Sequence, residues 1–158
     1  MTDGGCRTCY GKNSECRLWS PALRGARSSA ALFDPYSFAH MVGAGLQFFL
    51  IPPLWLGIGA ATRVQLFVLN LLLHAAFEAF ENAPCVIWFI RRYRCCGDPE
   101  YEGDSVLNVV GDLLSFSFAY GLSAVLLDAA GPLAAAAVPT LALVVFLAFY
   151  SSPNATLE

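Results

Sequence analysis

RVQLFVLNLLLHAAFEAFENAP (Arg63–Pro84) is apolar enough to cross a bilayer, yet it carries Asn70, His74, Glu78 and Glu81. In a helix each residue advances about 100°. Spacings of 4, 4 and 3 therefore place these four side chains on one face. Most of the remaining residues are Leu, Phe, Val and Ala. A polar stripe of this kind cannot face lipid, and it is most simply accommodated in the middle of a helical bundle.

The rest of the chain agrees with a membrane setting. Of 158 residues, 57% are hydrophobic and 13% charged, with a mean hydropathy of +0.57. An ordinary soluble domain of this size is less apolar and more charged. A spanning helix needs about 20 apolar residues. Four runs meet that need: 36–61, 64–90, 105–127 and 131–150. The fold expected is all-α, an integral-membrane four-helix bundle (36–150) with a polar Cys- and Arg-containing tail (1–35) and a short C-terminal tail (151–158). The first 33 residues have no apolar run of the kind a secretory leader needs. The net charge of -3 gives no reason to expect a nucleic-acid partner.

Eight of the nine basic residues fall in two regions, the N-terminal tail and the Arg91–Arg94 segment, which four spans place on one side. Arg63 falls on the other. The positive-inside rule then puts the tail, the 91–104 loop and the C-terminus in the cytoplasm, so the protein is expected in a bacterial inner membrane or its organellar equivalent. Asn154 heads an N-A-T sequon that this orientation leaves unused. Pro52 and Pro53 should kink or end the first span. Pro84 should end a helix running from Val64 to Asn82, with a short interfacial piece from Pro84 to Tyr93 after it.

Two further stripes accompany the first. Asp104, Asn108 and Asp112 are spaced by 4 and 4, with Gly111 and Ser115 on nearby rows. His40, Gly43, Ala44 and Gln47 form a narrow polar or small stripe in the first span. At 1.5 Å per residue, His40 and Asp112 lie roughly 6–12 Å from the side on which the first and third spans begin, in the same half of the membrane as Glu78 and Glu81. A charged carboxylate at mid-span costs about 2.5–3.5 kcal/mol. The cost is offset by protonation, by Arg91, Arg92 or Arg94, or by a metal ion.

Side-chain chemistry assigns expected roles. Glu78, Glu81, Asp112 and Asn108 are the catalytic candidates. His40, His74 and Asp104 are candidate ligands for a divalent metal (Mg, Mn or Zn), oxygen-rich sets favouring Mg or Mn and histidines moving the preference toward Zn. Asn82, Arg92 and Arg94 are substrate-binding candidates. Each has a plainer alternative: Asp104 or Ser105 as a helix cap, the arginines as topology charges, the histidines as packed residues. No Gly-rich phosphate loop, G-x-S-x-G elbow or H-E-x-x-H pair is present. The residues give no reaction outright and leave two readings, the first a membrane protein whose buried His/Glu/Asp/Asn site serves a metal-dependent hydrolase or transferase acting on a lipid-linked or amphipathic substrate in contact with membrane lipid. The alternative is a non-enzymatic membrane protein, a homo-oligomer or a subunit of a larger complex that binds an ion, a proton or a small ligand, whose stripes form a structural hydrogen-bond network. The six cysteines read as reduced thiols. One C-x-x-C pair, Cys6 and Cys9, with Cys95 and Cys96, is weak support for a structural zinc.

HAAFEAFENAP (74–84), IRRYR (90–94) and YEGDSVLNVVGD (101–112), with ECRLWS, DPYSFAHMVGAG and SPNATLE, resemble a family of bacterial inner-membrane proteins of unknown function, known mainly from alphaproteobacteria. The resemblance covers nearly the whole chain. It implies further hydrophobic segments on either side and a glutamate where this chain has His74. A looser likeness to VanZ-like membrane proteins rests on His40, Glu78, Arg94, Asp104, Asn108 and Gly111. Neither resemblance brings an activity with it.

Overall fold

The computed structural model describes residues 17–20, 31–50, 60–93 and 102–152. Two short strands, β1 (Arg17–Trp19) and β2 (Ala31–Phe33), precede five helices: α1 (Pro35–Leu50), α2 (Ala60–Glu81), α3 (Pro84–Tyr93), α4 (Val106–Ala130) and α5 (Pro132–Tyr150).

The all-α membrane class holds. Among the described residues, three helical segments are long and apolar enough to cross a membrane, against the four runs expected: Arg63–Glu81, Val106–Ala130 and Pro132–Tyr150. The first expected span, 36–61, is helical over Pro35–Leu50, 16 residues. At 1.5 Å per residue that is about 24 Å, short of a hydrocarbon core of about 30 Å. Residues 51–59, which include Pro52 and Pro53, lie outside the described residues.

Local chemistry sets the helix ends. Asp34 caps α1: its Oδ1 accepts from the Tyr36 and Ser37 N–H groups at 2.8 and 3.1 Å, and Pro35 occupies the first turn, where no donor is needed. Helix α2 stops at Glu81 and Pro84 opens α3, as the missing N–H of proline requires. Ser105 caps α4 by accepting from the Asn108 N–H at 3.1 Å. Gly131, at φ +85°, turns the chain from α4 into α5 in a conformation costly for other residues.

Helices α1, α4 and α5 pack mutually around Ala44, Phe48, Phe116, Ala119, Tyr120 and Ala135. A Cβ on Gly45 would overlap the Pro139 ring, so glycine permits the close approach of α1 to α5. Helix α2 lies along α4. Its buried side chains are Asn70, His74 and Glu78, while Leu72, Leu73, Phe77 and Phe80 are exposed. This is a water-soluble helix turned inside out, the pattern expected when the surround is hydrocarbon and the bundle interior supplies the polar partners.

The strand pair is a finding that composition did not suggest. β1 and β2 run parallel, with Arg17 opposite Ala31 and Trp19 opposite Phe33. β2 lies against α4. The Leu32 carbonyl sits where a Cβ on Gly111 would be, and Asn108 Nδ2 donates to the Ala31 carbonyl at 3.1 Å. The Trp19 ring meets Phe38 of α1 and Phe149 of α5, at centroid separations of 6.1 and 5.7 Å. Strand β2 is thereby pinned against α4 at the level of Asn108 to Gly111.

Candidate metal centre

Helical period builds the centre from two facing stripes. On α2, His74 and Glu78 are one turn apart and both buried. On α1, His40 faces them. His40 Nδ1 lies 3.2 Å from His74 Nε2 and 3.2 Å from Glu78 Oε1. His74 Nε2 lies 3.4 Å from Glu78 Oε1. These three residues form a group that could hold a metal ion.

The three separations have a chemical meaning. A tetrahedral zinc with ligand bonds of about 2.0–2.1 Å has ligand–ligand edges of about 3.3–3.4 Å. The triangle His40 Nδ1, His74 Nε2 and Glu78 Oε1 therefore has the size of one tetrahedral face. Packing holds the rings in place. The His74 imidazole stacks on Phe116 at 4.2 Å between centroids and 14° between planes, and His40 meets it edge-on at 5.0 Å.

Glu78 is the residue with the largest unmet demand. Its side chain is buried, and neither Oε1 nor Oε2 has a hydrogen-bond partner. A buried carboxylate without a donor is costly. Glu78 and Asp112 also lie within electrostatic reach of each other and of Asp34 and Asp104. Arg63 and Arg91 are engaged elsewhere: Arg63 binds both oxygens of Asp128 at 2.7 and 2.6 Å, and Arg91 lies 3.6 Å from Glu102.

The remaining candidates are distributed around this centre. Asp112 is buried on α4, with Oδ2 3.6 Å from His40 Nε2 and Oδ1 accepting from the Ser37 hydroxyl at 2.9 Å. Glu81 is half-buried one turn beyond Glu78. Asp104, expected beside the histidines, is bonded to Asn82 instead: its N–H donates to Asn82 Oδ1, and Asn82 Nδ2 lies 3.3 Å from its Oδ2. Asn82 Nδ2 also donates to the Glu78 carbonyl at 3.0 Å, so Asn82 fastens the end of α2 to the start of α4. Asn108 points to β2 and to Asp34 Oδ2, 3.4 Å away. Arg92 is exposed on α3, and Arg94 lies outside the described residues, as do Cys6, Cys9, Cys95 and Cys96.

Three residues of the centre carried no expected role: Asp34, Ser37 and Phe116. The signal for the first two was present in F-D-P-Y-S, since Asp before Pro with Ser three residues on is a helix start. The Ser37 side chain links that cap to Asp112. Phe116 had no signal beyond lying one turn from Asp112.

Comparison with known proteins fits this membrane-capable chain to one family. It is 33% identical over 100 residues to a UPF0314 protein of Novosphingobium aromaticivorans, covering 61% of this chain and 49% of that protein. It is 32% identical over 109 residues to a UPF0314 protein of Paracoccus denitrificans, covering 68% and 53%. A UPF0314 protein of Rhizobium meliloti is 28% identical over 143 residues, covering 90% and 67%. The chain thus spans about half the length of the first two relatives. No solved structure matches it. Residues 3–157 match the family described as "Protein of unknown function (DUF2585)", and the chain belongs to that family.

Proposed function

We propose that this is an integral inner-membrane protein that binds one divalent cation through His40 Nδ1, His74 Nε2 and Glu78 Oε1, and that the centre serves hydrolysis or group transfer on a lipid-linked or amphipathic substrate. The observation that carries the reading is Glu78: buried, with both oxygens lacking a donor and two imidazole nitrogens at ligand distance from one of them. One cation satisfies three lone-pair donors at once, whereas one proton between the rings satisfies a single pair.

The donor set of two histidines and one carboxylate suits zinc, manganese or iron better than magnesium. A bound cation would polarise a carbonyl or phosphoryl oxygen, or make a water more acidic. Glu81, half-buried one turn toward the membrane edge, is the candidate to take or return a proton. The exposed apolar faces of α2, α4 and α5 keep such a centre in lipid, which favours a substrate that partitions into the bilayer. The basic segments put its end of the bundle on the cytoplasmic side.

A second reading, a purely structural polar network within an oligomer or larger complex, is favoured by the pairs Asn82–Asp104, Asn70–Tyr120 and Arg63–Asp128. Glu78 separates the two readings: a network needs an imidazole N–H turned onto Oε1, and the centre needs a cation between the same atoms. Elemental analysis of detergent-purified protein decides between them. About one metal per chain in the wild type, lost in Glu78→Gln, supports the centre. Metal-free wild-type protein that regains none on addition of zinc or manganese overturns it.

A further inference from the structure

Behind the cation site, the second nitrogen of His40 meets a carboxylate. His40 Nδ1 points at His74 and Glu78, and its Nε2 lies 3.6 Å from Asp112 Oδ2. The other carboxylate oxygen, Oδ1, is already taken, because the Ser37 hydroxyl donates to it at 2.9 Å. Ser37 has a fixed direction of its own. Its Oγ accepts from the Asp34 N–H at 3.2 Å, which turns the hydroxyl proton outward to Asp112. Asp112, Ser37 and Asp34 are all buried.

A ring nitrogen can ligate a cation only when it carries no proton, and in neutral imidazole that puts the proton on the other nitrogen. His40 must carry its proton on Nε2 if Nδ1 is to bind. A carboxylate beside Nε2 favours that tautomer and raises the basicity of the ligating nitrogen. The 3.6 Å separation is longer than a hydrogen bond, so Asp112 acts on Nε2 here as a neighbouring negative group.

We infer that Asp112 is a positioning residue: it holds the His40 proton on Nε2 and so keeps the Nδ1 lone pair aimed into the centre, while Ser37 fixes which carboxylate oxygen does this. This rests on the cation reading of His40, His74 and Glu78. It gives Asp112 a role different from the direct acid–base one its position in the sequence suggested.

The arrangement predicts an inverted order of severity. In Asp112→Asn the one remaining oxygen stays on the Ser37 hydroxyl, so the amide NH2 faces His40. That group needs a lone pair on Nε2 and forces the proton to Nδ1, the wrong tautomer for binding. Asp112→Ala imposes no tautomer. In the double variant Ser37→Ala, Asp112→Asn the amide is free to turn its oxygen to Nε2. A role in packing alone predicts the reverse order, with the near-isosteric Asn milder than Ala.

The test is zinc and cobalt affinity of the detergent-solubilised chain, by chelator competition, for the wild type and these three variants. Cobalt absorption serves as the coordination signature, and nitrogen NMR of ring-labelled histidine reads the tautomer in metal-free protein. Asp112→Asn should lose 10–100-fold in affinity, the usual cost of a lost carboxylate behind a ligating histidine. Asp112→Ala should lose less, and the double variant should recover most of the loss. In metal-free protein His40 should carry its proton on Nε2 in the wild type and on Nδ1 in Asp112→Asn. If the wild type binds and Asp112→Asn binds equally well, or Ala is the more severe change, this role is overturned and the cation site stands. A wild type that binds neither zinc nor cobalt overturns the site and this role together.

Discussion

His40 and Glu78 come from different helices and meet at 3.2 Å inside the bundle, with Nδ1 of the one facing Oε1 of the other. The contact brings an imidazole to a buried carboxylate whose two oxygens otherwise lack donors. It is where the stripe of α1 and the stripe of α2 become one site.

Glu78→Gln keeps the size and the hydrogen-bonding capacity of the side chain and removes its charge. It should abolish stoichiometric zinc or manganese binding while leaving the thermal midpoint in detergent, measured without added metal, unchanged or higher, because a buried charge is no longer present. Metal retention at the wild-type level would count against the centre.

His74→Glu replaces one ligand by another. The variant should still bind a divalent cation but should shift preference from zinc toward manganese or magnesium, since a nitrogen donor is exchanged for an oxygen donor. Competition between zinc and manganese reads the shift, and an unchanged preference would show that His74 Nε2 is not a ligand.

Phe116→Ala removes the ring that stacks on His74 at 4.2 Å. A loss of about 3–5 kcal/mol in stability is the usual cost of deleting a buried phenylalanine. If the stack also holds the imidazole in its ligating orientation, metal affinity should fall with it. Phe48→Ala, in the same core, provides the control: it should cost similar stability and leave affinity alone.

Gly111→Ala places a methyl group where the Leu32 carbonyl lies. The added carbon must push β2 off α4, at roughly 1–3 kcal/mol for overpacking. Limited proteolysis at the segment around Leu32 should become faster than in wild type. Unchanged cleavage and an unchanged midpoint would mean that β2 does not rest on α4 in the membrane.

Asn82→Ala removes both contacts with Asp104, the acceptor of its backbone N–H and the amide beside its Oδ2, whereas Asp104→Ala removes only the second and leaves the backbone N–H on Asn82 Oδ1. Asn82→Ala should therefore be the more destabilising, by about 1–3 kcal/mol, and Asp104→Ala the milder. In the Asn82→Ala background the further change Asp104→Ala should cost little, so a full additional loss in thermal midpoint would rule out the side-chain contact.

The helical period made the buried face of α2 legible, because Asn70, His74 and Glu78 share that face at any depth. Pro84 likewise announced the break into α3. Depth along an axis did not tell which neighbour a side chain would choose. Asp104 lies at a suitable height for the histidines, yet it is bonded to Asn82, a pairing that depends on how the turn before α4 folds back. The β1–β2 pair was illegible for another reason. Three-residue strands carry too little pattern to read, and their register comes from contacts with α4, far away in sequence. The apolar run of the first expected span continues past Leu50 into residues 51–59, which lie outside the described residues, so 16 residues of it are described as helix.

Both ends of α2 are fastened to the α4 side of the bundle, through Arg63–Asp128 at one end and Asn82–Asp104 at the other. Its contact with α1 is of a different kind, made through His40 against His74 and Glu78. Mechanically, α2 is a door hung on two hinges along one jamb, and His40 is the strike plate on the other. On the proposed reading, a cation shared across that gap would be the latch, and occupancy at a hundred times the dissociation constant would hold it shut by about 2.7 kcal/mol.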